Sequence, residues 1–346
     1  MQPAPPRLCY RVVGATMLLS VLLRALGTMA SLLDGAAEAT ATTAGRGSKP
    51  HIVMVLQDDL GHHDVGFGGG GGANITQNVT KLAEEGVILT AHYVFYWCSP
   101  TRRSFLTGRL PVHHGEMLSD YHTDDIDLRW TTIAEKLKKG AGYKSFWFGK
   151  GHTGYRSTAH LPVNLGFDGH VGFLIGQQSY TSTDRWMNDR PYHNGTYSTT
   201  LYGDASVAAI TAHDAAAAPL FLYLPWQAVH DPYDPVPGCD CNSTDQHGIN
   251  HKDNLKTYRC MLWASDVQMG RVVTALKAKD MWATTVFVYS ADNGGISSLS
   301  GNNYPYRGEK RTSFEGGMRA AAFVSGGALP SQLRGTSSGL RMHVVE

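Results

Sequence analysis

Short, continuously apolar runs alternate with helical stretches along most of this chain, and this alternation limits the folds that are open to it. The runs at 51–57, 220–224 and 285–289 are rich in β-branched, aromatic and other apolar side chains. A strand that is apolar on both sides needs burial on both faces, which a parallel sheet covered by helices provides. We therefore predict an α/β sandwich with a central, mostly parallel sheet flanked by helices.

Capping and glycine signals place helices between these strands. Thr132 and Glu135 form a capping box for a helix that is expected to end at Gly140, and a strand over 144–148 follows. The remaining predicted elements are a helix over 78–85, a strand over 87–95 and a helix over 255–279.

The N-terminal residues differ in composition from the rest of the chain. Residues 1–39 combine Arg7 and Arg11 with an apolar run over 12–23 and small residues before position 40, which is typical of a secretory signal peptide. The apolar run is shorter than the roughly 20 residues that a membrane span needs, so we expect no stable membrane anchor. A polar linker over 40–49, a catalytic domain over 50–330 and the start of a C-terminal region over 331–346 complete the predicted organisation.

Charge and sequons indicate the environment of the chain. The net charge is +1 over 346 residues, so no basic stripe is available to neutralise a nucleic acid and any anion specificity must be local. Asn-x-Ser/Thr sequons fit passage through a glycosylating compartment. The predicted glycosylation sites are Asn74, Asn78, Asn194 and Asn242.

Polar side chains follow two of the predicted strands at the point where each strand ends. Asp58 and Asp59 come directly after the first apolar run, and Asp292 and Asn293 follow the last one. Ligands bind beyond the carboxyl ends of strands in an open α/β sheet, so these four side chains are expected to face one site. Hard oxygen ligands favour Ca²⁺, with Mg²⁺ possible, over zinc.

The run Cys98-Ser99-Pro100-Thr101-Arg102, followed by Thr107-Gly108-Arg109, carries the strongest motif in the chain. It resembles the signature of the type I sulfatases, in which this cysteine is oxidised to formylglycine. Pro100 suits the first turn of a helix, so Cys98 is expected just before a helix N-terminus, where an anion is favoured. Thr101 stands where that family usually has serine.

The resemblance extends through further motifs in the family's order. Lys150 and His152 match a Gly-Lys-Trp-His segment in which Gly151 replaces tryptophan, a change expected to remove packing under that loop. His230 follows the strand at 220–224, and Lys310 precedes a Glu-Gly-Gly segment in which Phe314 replaces tryptophan. The catalytic residues that the resemblance implies are Cys98, Arg102, Lys150, His152, His230 and Lys310.

Specific roles also come from the resemblance. Lys150, His230 and Lys310 would bind the substrate sulfate and the leaving oxygen, while His152 would act as a base on the formylglycine hydrate. The implied ligands of the single divalent ion are Asp58, Asp59, Asp292, Asn293 and the formylglycine formed from Cys98. The implied fold is an alkaline-phosphatase-like sandwich, with the smaller C-terminal domain of the family largely missing from this chain.

The remaining cysteines leave two disulfide pairings open. With Cys9 in the leader and Cys98 converted, either Cys239 or Cys241 is expected to bridge to Cys260. A zinc site is disfavoured, because a spacing of one residue between two cysteines is unusual for structural zinc.

By this resemblance the chain is an arylsulfatase-like sulfuric ester hydrolase, most similar to the arylsulfatase B group. The expected partners are a sulfated carbohydrate or aryl sulfate as substrate and a formylglycine-generating enzyme during maturation. The expected location is the secretory pathway, and from there the cell exterior or the lysosome. The alternatives are a phosphoesterase of the alkaline phosphatase superfamily and an inactive, truncated protein that binds sulfated glycans.

Overall fold

A computed structural model describes residues 49–113, 125–239 and 252–346. The expected signal peptide, the linker as far as residue 48, Cys241 and the sequon at Asn242 lie outside the described residues. Within them, no helix combines the length and the apolar character that crossing a membrane demands.

Strands and helices alternate through the described residues. The strands are β1 (His51–Gln57), β2 (Val87–Leu89), β3 (His92–Tyr93), β4 (Lys144–Lys150), β5 (Gly169–Phe173), β6 (Trp186–Met187), β7 (Arg190–Pro191), β8 (Leu220–Trp226), β9 (Thr285–Ala291), β10 (Ala322–Ser325), β11 (Thr336–Ser338) and β12 (Met342–His343). The helices are α1 (Gln77–Glu84), α2 (Cys98–Thr107), α3 (Ile133–Ala141), α4 (Ser198–Ala212), α5 (Lys252–Ala278) and α6 (Glu315–Met318).

Most of the strands form one large sheet. Its order is β11-β2-β10-β9-β1-β8-β4-β5-β6-β7, and the central run from β9 to β5 is entirely parallel. β10, β6 and β7 pair antiparallel with their neighbours toward the edges. The predicted mostly parallel sheet is confirmed, and the apolar runs at 51–57, 220–224 and 285–289 form its three central strands.

Helices cover both faces of this sheet. Successive side chains of a strand point to opposite faces. On one face Phe105 of α2 stacks on Tyr223 of β8, with ring centroids 4.9 Å apart. On the other face Ser265 of α5 donates a hydrogen bond to the side-chain oxygen of Gln57, which ends β1. Because both faces are covered, the central strands are buried and only their ends can carry chemistry.

The stretch 87–95 does not form the single strand that its composition predicts. β2 pairs with β10 and β11 in the large sheet, whereas β3 pairs with β12 in a separate two-stranded sheet. The chain turns between them at Thr90, whose N–H and hydroxyl both donate to the Ser338 carbonyl. Contacts from residues far along the chain therefore divide an apparently continuous run.

A disulfide joins Cys239 to Cys260, which settles the pairing that the sequence leaves open. It links the segment after β8 to helix α5 across a sequence separation of 21 residues. Closing a loop of this length removes unfolded-state entropy equivalent to about 3 kcal/mol. The bridge therefore stabilises the folded chain relative to the unfolded one.

Candidate active site

The carboxyl ends of four parallel strands meet the start of helix α2 at one buried site. β1 leads into Asp58 and Asp59, β9 into Asp292 and Asn293, β4 ends at Lys150, and the segment after β8 carries His230. Helix α2 contributes Cys98 and Arg102, and the loop before α6 contributes Lys310. Every one of these side chains is at most 5% exposed. His152, which follows two residues after Lys150, is half-buried.

Helix α2 presents two of these side chains from one face. The helix begins at Cys98 itself, after Trp97 in an extended conformation, and ends where Gly108 adopts a left-handed φ of 63°. Cys98 is thus the first helical residue, so the helix begins one residue earlier than the sequence predicts. Cys98 and Arg102 are four residues apart, so they lie one turn apart on the same face.

Asp58 lies at the centre of the polar cluster. Its Oδ2 is 2.5 Å from the Lys150 ammonium and 3.4 Å from the Arg102 guanidinium. Its Oδ1 accepts from the Cys98 thiol at 3.4 Å. Arg102 also donates through Nε and Nη2 to Oδ2 of Asp292, at 3.0 and 2.8 Å. One guanidinium therefore ties the carboxylates from two strand ends together.

Asp59 forms a second centre beside the first. The Lys310 ammonium lies 2.6 Å from its Oδ1 and 2.9 Å from its Oδ2, and the Asn293 amide donates to Oδ1 at 2.8 Å. The Cys98 thiol lies 3.8 Å from the same Oδ1. Asp59 adopts a φ of 52°, a left-handed conformation that is uncommon outside glycine and often held at functional sites.

Fixed cations decide the ionisation of the first two carboxyl groups. Burial raises the pKa of a carboxyl group because the ionised form loses hydration. At Asp58 the charges of Lys150 and Arg102 outweigh burial and hold the pKa well below its usual range. At Asp59 Lys310 outweighs burial in the same way and lowers the pKa. Both groups are therefore anionic at neutral pH.

Asp292 behaves differently, although it binds the same guanidinium. Burial, together with repulsion from Asp58, raises its pKa to about 7, and Arg102 only partly offsets this rise. A further positive charge at the cluster would keep Asp292 ionised as well. The negative charge of the three carboxylates could thus be balanced further by a cation that the protein side chains do not supply.

The donor set fits a divalent ion with hard ligands. Ligand atoms of Asp58, Asp59, Cys98 and His230 all lie within 4.8 Å of one another. The side-chain oxygen of Asn293 is buried and has no hydrogen-bond partner among the described residues. A buried amide oxygen without a partner, next to buried carboxylates, fits a calcium ligand whose partner would be the ion.

The segment after β4 is held by its backbone. The N–H of Gly151 donates to Phe173 at 2.7 Å and that of His152 to Leu174 at 2.9 Å, so pairing with the β5 side continues past the end of β4. A Cβ at Gly151 would lie 2.9 Å from the Leu174 carbonyl oxygen. The sequence suggests that losing tryptophan loosens this loop, but the close backbone approach replaces that packing.

Gly151→Ala is therefore expected to destabilise the protein by about 1 to 3 kcal/mol, the usual cost of overpacking, and to displace the neighbouring Lys150 and His152. Thermal unfolding and the rate of aryl sulfate hydrolysis would measure the two effects. Gly140→Ala is the matched control, because a Cβ there meets nothing within 4 Å and alanine favours the helix. Equal unfolding temperatures for Gly151→Ala and the wild type would contradict this explanation.

Hydrogen bonding fixes the tautomer of His230. Its Nδ1 lies 2.6 Å from the carbonyl oxygen of Asp231 and 3.2 Å from a carboxylate oxygen of the same residue, both of which can only accept. Nδ1 therefore carries the proton in the neutral ring, and Nε2 faces Asp59 Oδ2 at 3.7 Å. To donate from Nε2, the ring must become doubly protonated.

Several neighbours of the cluster have no signal in the sequence beyond their residue type. The Thr101 hydroxyl donates to the Asp292 carbonyl at 2.7 Å and accepts from the Phe95 N–H, joining helix α2 to the end of β9. The Tyr180 hydroxyl lies within hydrogen-bonding distance of the carbonyl oxygens of Gln227 and His230. For Thr101, its place in the cysteine motif is a signal that could have indicated its position. Tyr180 has no such signal.

Comparisons with known proteins agree on one family. The Sulfatase family model matches residues 50–344. Arylsulfatase J of Mus musculus is 33% identical over 338 residues, which cover 92% of this chain and 54% of that protein. N-acetylgalactosamine-6-sulfatase of Mus musculus is 28% identical over 314 residues, or 81% of this chain and 58% of that protein. The chain thus spans a little over half the length of these relatives.

Solved structures give the same result for the fold. The crystal structure of Ps i-CgsB in complex with k-i-k-neocarrahexaose matches with a TM-score of 0.75 and 26% identity, covering 86% of this chain and 70% of that one. The PsFucS1 sulfatase from Pseudoalteromonas sp. matches with a TM-score of 0.71 over 96% of this chain and 70% of that one, at 22% identity. The predicted alkaline-phosphatase-like sandwich is confirmed.

Proposed function

The chain belongs to the sulfatase family, and on that basis we propose that it hydrolyses sulfate esters, with a sulfated carbohydrate as its natural substrate. One observation carries the proposal: three buried carboxylates and three buried basic side chains surround Cys98 at the strand ends. These are Asp58, Asp59, Asp292, Arg102, Lys150 and Lys310. Preorganised charge of this kind is commonly the largest contribution to catalysis at an anionic centre.

We propose that Cys98 acts after oxidation to formylglycine by a formylglycine-generating enzyme. Hydrated formylglycine would supply one hydroxyl to attack sulfur and a second whose collapse releases sulfate. The environment of the thiol supports the need for this conversion. Burial, followed by the charges of Asp292 and Asp58, raises the pKa of Cys98 well above its usual range, so an unmodified thiol here is a weak nucleophile.

We propose that a divalent ion, Ca²⁺ or alternatively Mg²⁺, is held by Asp58, Asp59, Asp292, Asn293 and the oxidised Cys98. When bound, it would polarise a sulfate oxygen and lower the pKa of the attacking hydroxyl. The charge balance supports it. When Asp58, Asp59 and Asp292 are all ionised, their charges and those of the three fixed cations cancel, so the side chains alone leave little positive charge for an anionic ester.

The remaining roles concern proton transfer and binding. Burial, followed by the charges of Lys150 and Arg102, lowers the pKa of His152 well below its usual range, so its ring is neutral and can accept a proton. Lys150 and Lys310 would bind the sulfate group and Arg102 would fix the carboxylates that surround the nucleophile. Burial, followed by the charge of Lys150, lowers the pKa of His230, so its resting ring is neutral. It would donate to the leaving oxygen only in the doubly protonated form, which the negative charge of a bound ester would favour.

The test measures sulfate release from a chromogenic aryl sulfate by protein made together with a formylglycine-generating enzyme. We expect turnover that stops on chelation and returns with Ca²⁺. The same leaving group on a phosphate ester tests the phosphoesterase alternative, since the two anions have similar shapes. Preference for the phosphate ester, or sulfate release that persists without any divalent ion, would contradict the proposal. Binding of sulfated glycans without any turnover would favour the glycan-binding alternative.

We propose that the protein matures in the secretory pathway and acts in the lysosome or outside the cell. The disulfide between Cys239 and Cys260 supports an oxidising compartment, because such bridges are rare in the cytosol. Glycosylation is the expected mark of that route.

Occupancy of the sequons is expected to differ between Asn74 and Asn78. Both residues are exposed, but the Asn78 side-chain amide donates to Asp266 at 2.8 Å and lies against Gly270 of helix α5. A glycan on Asn78 would have to break this hydrogen bond and move the side chain away from helix α5, so we expect Asn74 to be occupied and Asn78 to be bare. Glycopeptide mass spectrometry measures both sites on the same molecules. Full occupancy at Asn78 would show that this packing does not restrict the modification.

A further inference from the structure

One exposed arginine beside the site has no acidic partner among the described residues. Arg311 follows Lys310 directly, and its guanidinium stacks on the Trp97 ring, 4.3 Å from the centroid. No carboxylate lies within ion-pair distance of it among the described residues. By contrast, Arg319 pairs with Glu315 and Arg271 pairs with Asp204.

The position of Arg311 relative to the site is fixed by two contacts. The ammonium of Lys310, which binds Asp59, lies 5.2 Å from the centroid of the same Trp97 ring. Trp97 in turn immediately precedes Cys98 at the start of α2. The two cations therefore share one indole ring, with Lys310 buried and Arg311 exposed at the rim.

The backbone of Arg311 is held in an unfavourable conformation. Its φ is 73°, which is the left-handed region that side-chain-bearing residues rarely adopt, and its N–H donates to the Tyr96 carbonyl at 2.8 Å. Strain of this kind persists where the surrounding structure requires it, and it is concentrated at ligand-binding and catalytic sites. Here it directs a long cationic side chain back over Trp97.

We infer that Arg311 and Trp97 form a subsite for a second anionic group, sulfate or carboxylate, on the same sulfated saccharide whose sulfate ester is cleaved. The inference rests on the proposed hydrolysis and adds to it that the preferred substrate carries more than one anion. A guanidinium that lies over an aromatic ring can still donate through its N–H groups, and their arrangement matches the planar fork of a carboxylate or two oxygens of a sulfate. Arg311 is thus a specificity residue and takes no part in bond cleavage.

The experiment compares three sugars: a monosulfated N-acetylhexosamine, the same N-acetylhexosamine with a second sulfate, and the same monosulfated N-acetylhexosamine linked to a uronic acid. For the wild type we expect a higher kcat/KM on at least one dianionic sugar than on the monoanionic one. In Arg311→Gln this preference should fall about tenfold, mainly through KM, because a charge-assisted hydrogen bond is lost. Arg311→Lys keeps the positive charge but loses the two parallel N–H donors, so it should retain part of the preference for dianionic sugars.

Arg307→Gln provides the matched control, because Arg307 is also exposed, lies in the same loop and stacks on an aromatic ring, that of Phe314 at 4.2 Å. The preference of Arg307→Gln for dianionic over monoanionic sugars should equal that of the wild type. An unchanged preference in Arg311→Gln, or an equal fall in Arg307→Gln, would overturn the subsite. The two dianionic sugars distinguish sulfate from carboxylate as the second anion.

A failure of the proposed hydrolysis would look different. In that case the wild type would release no sulfate from any of the three sugars. Calorimetric affinities for the same sugars would then still decide the role of Arg311, since the subsite predicts that only the Arg311 variants lose the affinity gained from the second anion. Equal affinities of wild type and Arg311→Gln for all three sugars would reject it.

Discussion

Replacing Cys98 with alanine is expected to lower sulfate ester hydrolysis by about 10⁴-fold or more, the scale on which loss of a catalytic nucleophile acts. Alanine cannot be oxidised to an aldehyde, so no hydroxyl would be available to attack sulfur. The side chain is 1% exposed and small, so its removal should leave the fold and the yield of protein largely intact. Turnover of a chromogenic aryl sulfate, with mass spectrometry of the peptide around position 98, measures both the activity and the modification.

Ser99→Ala is the matched control for this variant. Ser99 is the next residue of the same helix, it is 4% exposed, and its hydroxyl has no hydrogen-bond partner among the described residues. Removing an unpaired buried hydroxyl is close to neutral for stability, so this variant should keep its activity and its aldehyde. Substantial hydrolysis by Cys98→Ala would remove the nucleophile assignment, whatever the control does.

Replacing Asp292 with asparagine is expected to lower turnover by about 100-fold or more and to weaken calcium binding. Asparagine keeps the size of the side chain but removes the charge that Arg102 binds at 2.8 Å. A buried cation that loses its partner typically costs about 3 to 5 kcal/mol, so the free energy of unfolding should fall as well. Added Ca²⁺ at 100 times its Kd should stabilise the wild type by about 2.7 kcal/mol and the variant by much less.

Asp204→Asn separates this effect from the simple loss of an ion pair. Asp204 binds Arg271 at the surface, where both side chains are about half exposed. Such exposed pairs contribute between about 0 and 1 kcal/mol. Thermal unfolding with and without Ca²⁺ compares the variants. A calcium response of Asp292→Asn equal to that of Asp204→Asn would exclude Asp292 from the metal site.

The sequence predicts the parts of the site that follow from sheet geometry. Asp58, Asp59, Asp292 and Asn293 can be placed together without any family resemblance, because the carboxyl ends of neighbouring parallel strands meet at one edge. Lys310 could not be placed in that way. It lies in a loop without regular pattern, and only the Glu-Gly-Gly segment after it connects it with the other motifs.

Other features depend on contacts that no local pattern encodes. The division of the stretch 87–95 arises from hydrogen bonds to residues near the end of the described chain. The choice of Cys239 as the partner of Cys260 depends on how close the segment after β8 comes to helix α5. The left-handed φ of Arg311 is equally invisible in the sequence, since the residue type disfavours it. The sequence therefore predicts the positions of side chains well at the ends of strands and poorly in loops.

All ten residues of helix α2 are buried in the folded protein. If Cys98 is oxidised to formylglycine as proposed, a modifying enzyme would have to reach this segment before the helix packs against the sheet. Molecules that complete the fold with the thiol intact would then stay unmodified. The fraction of active molecules would in that case depend on how fast this region folds as well as on the amount of modifying enzyme.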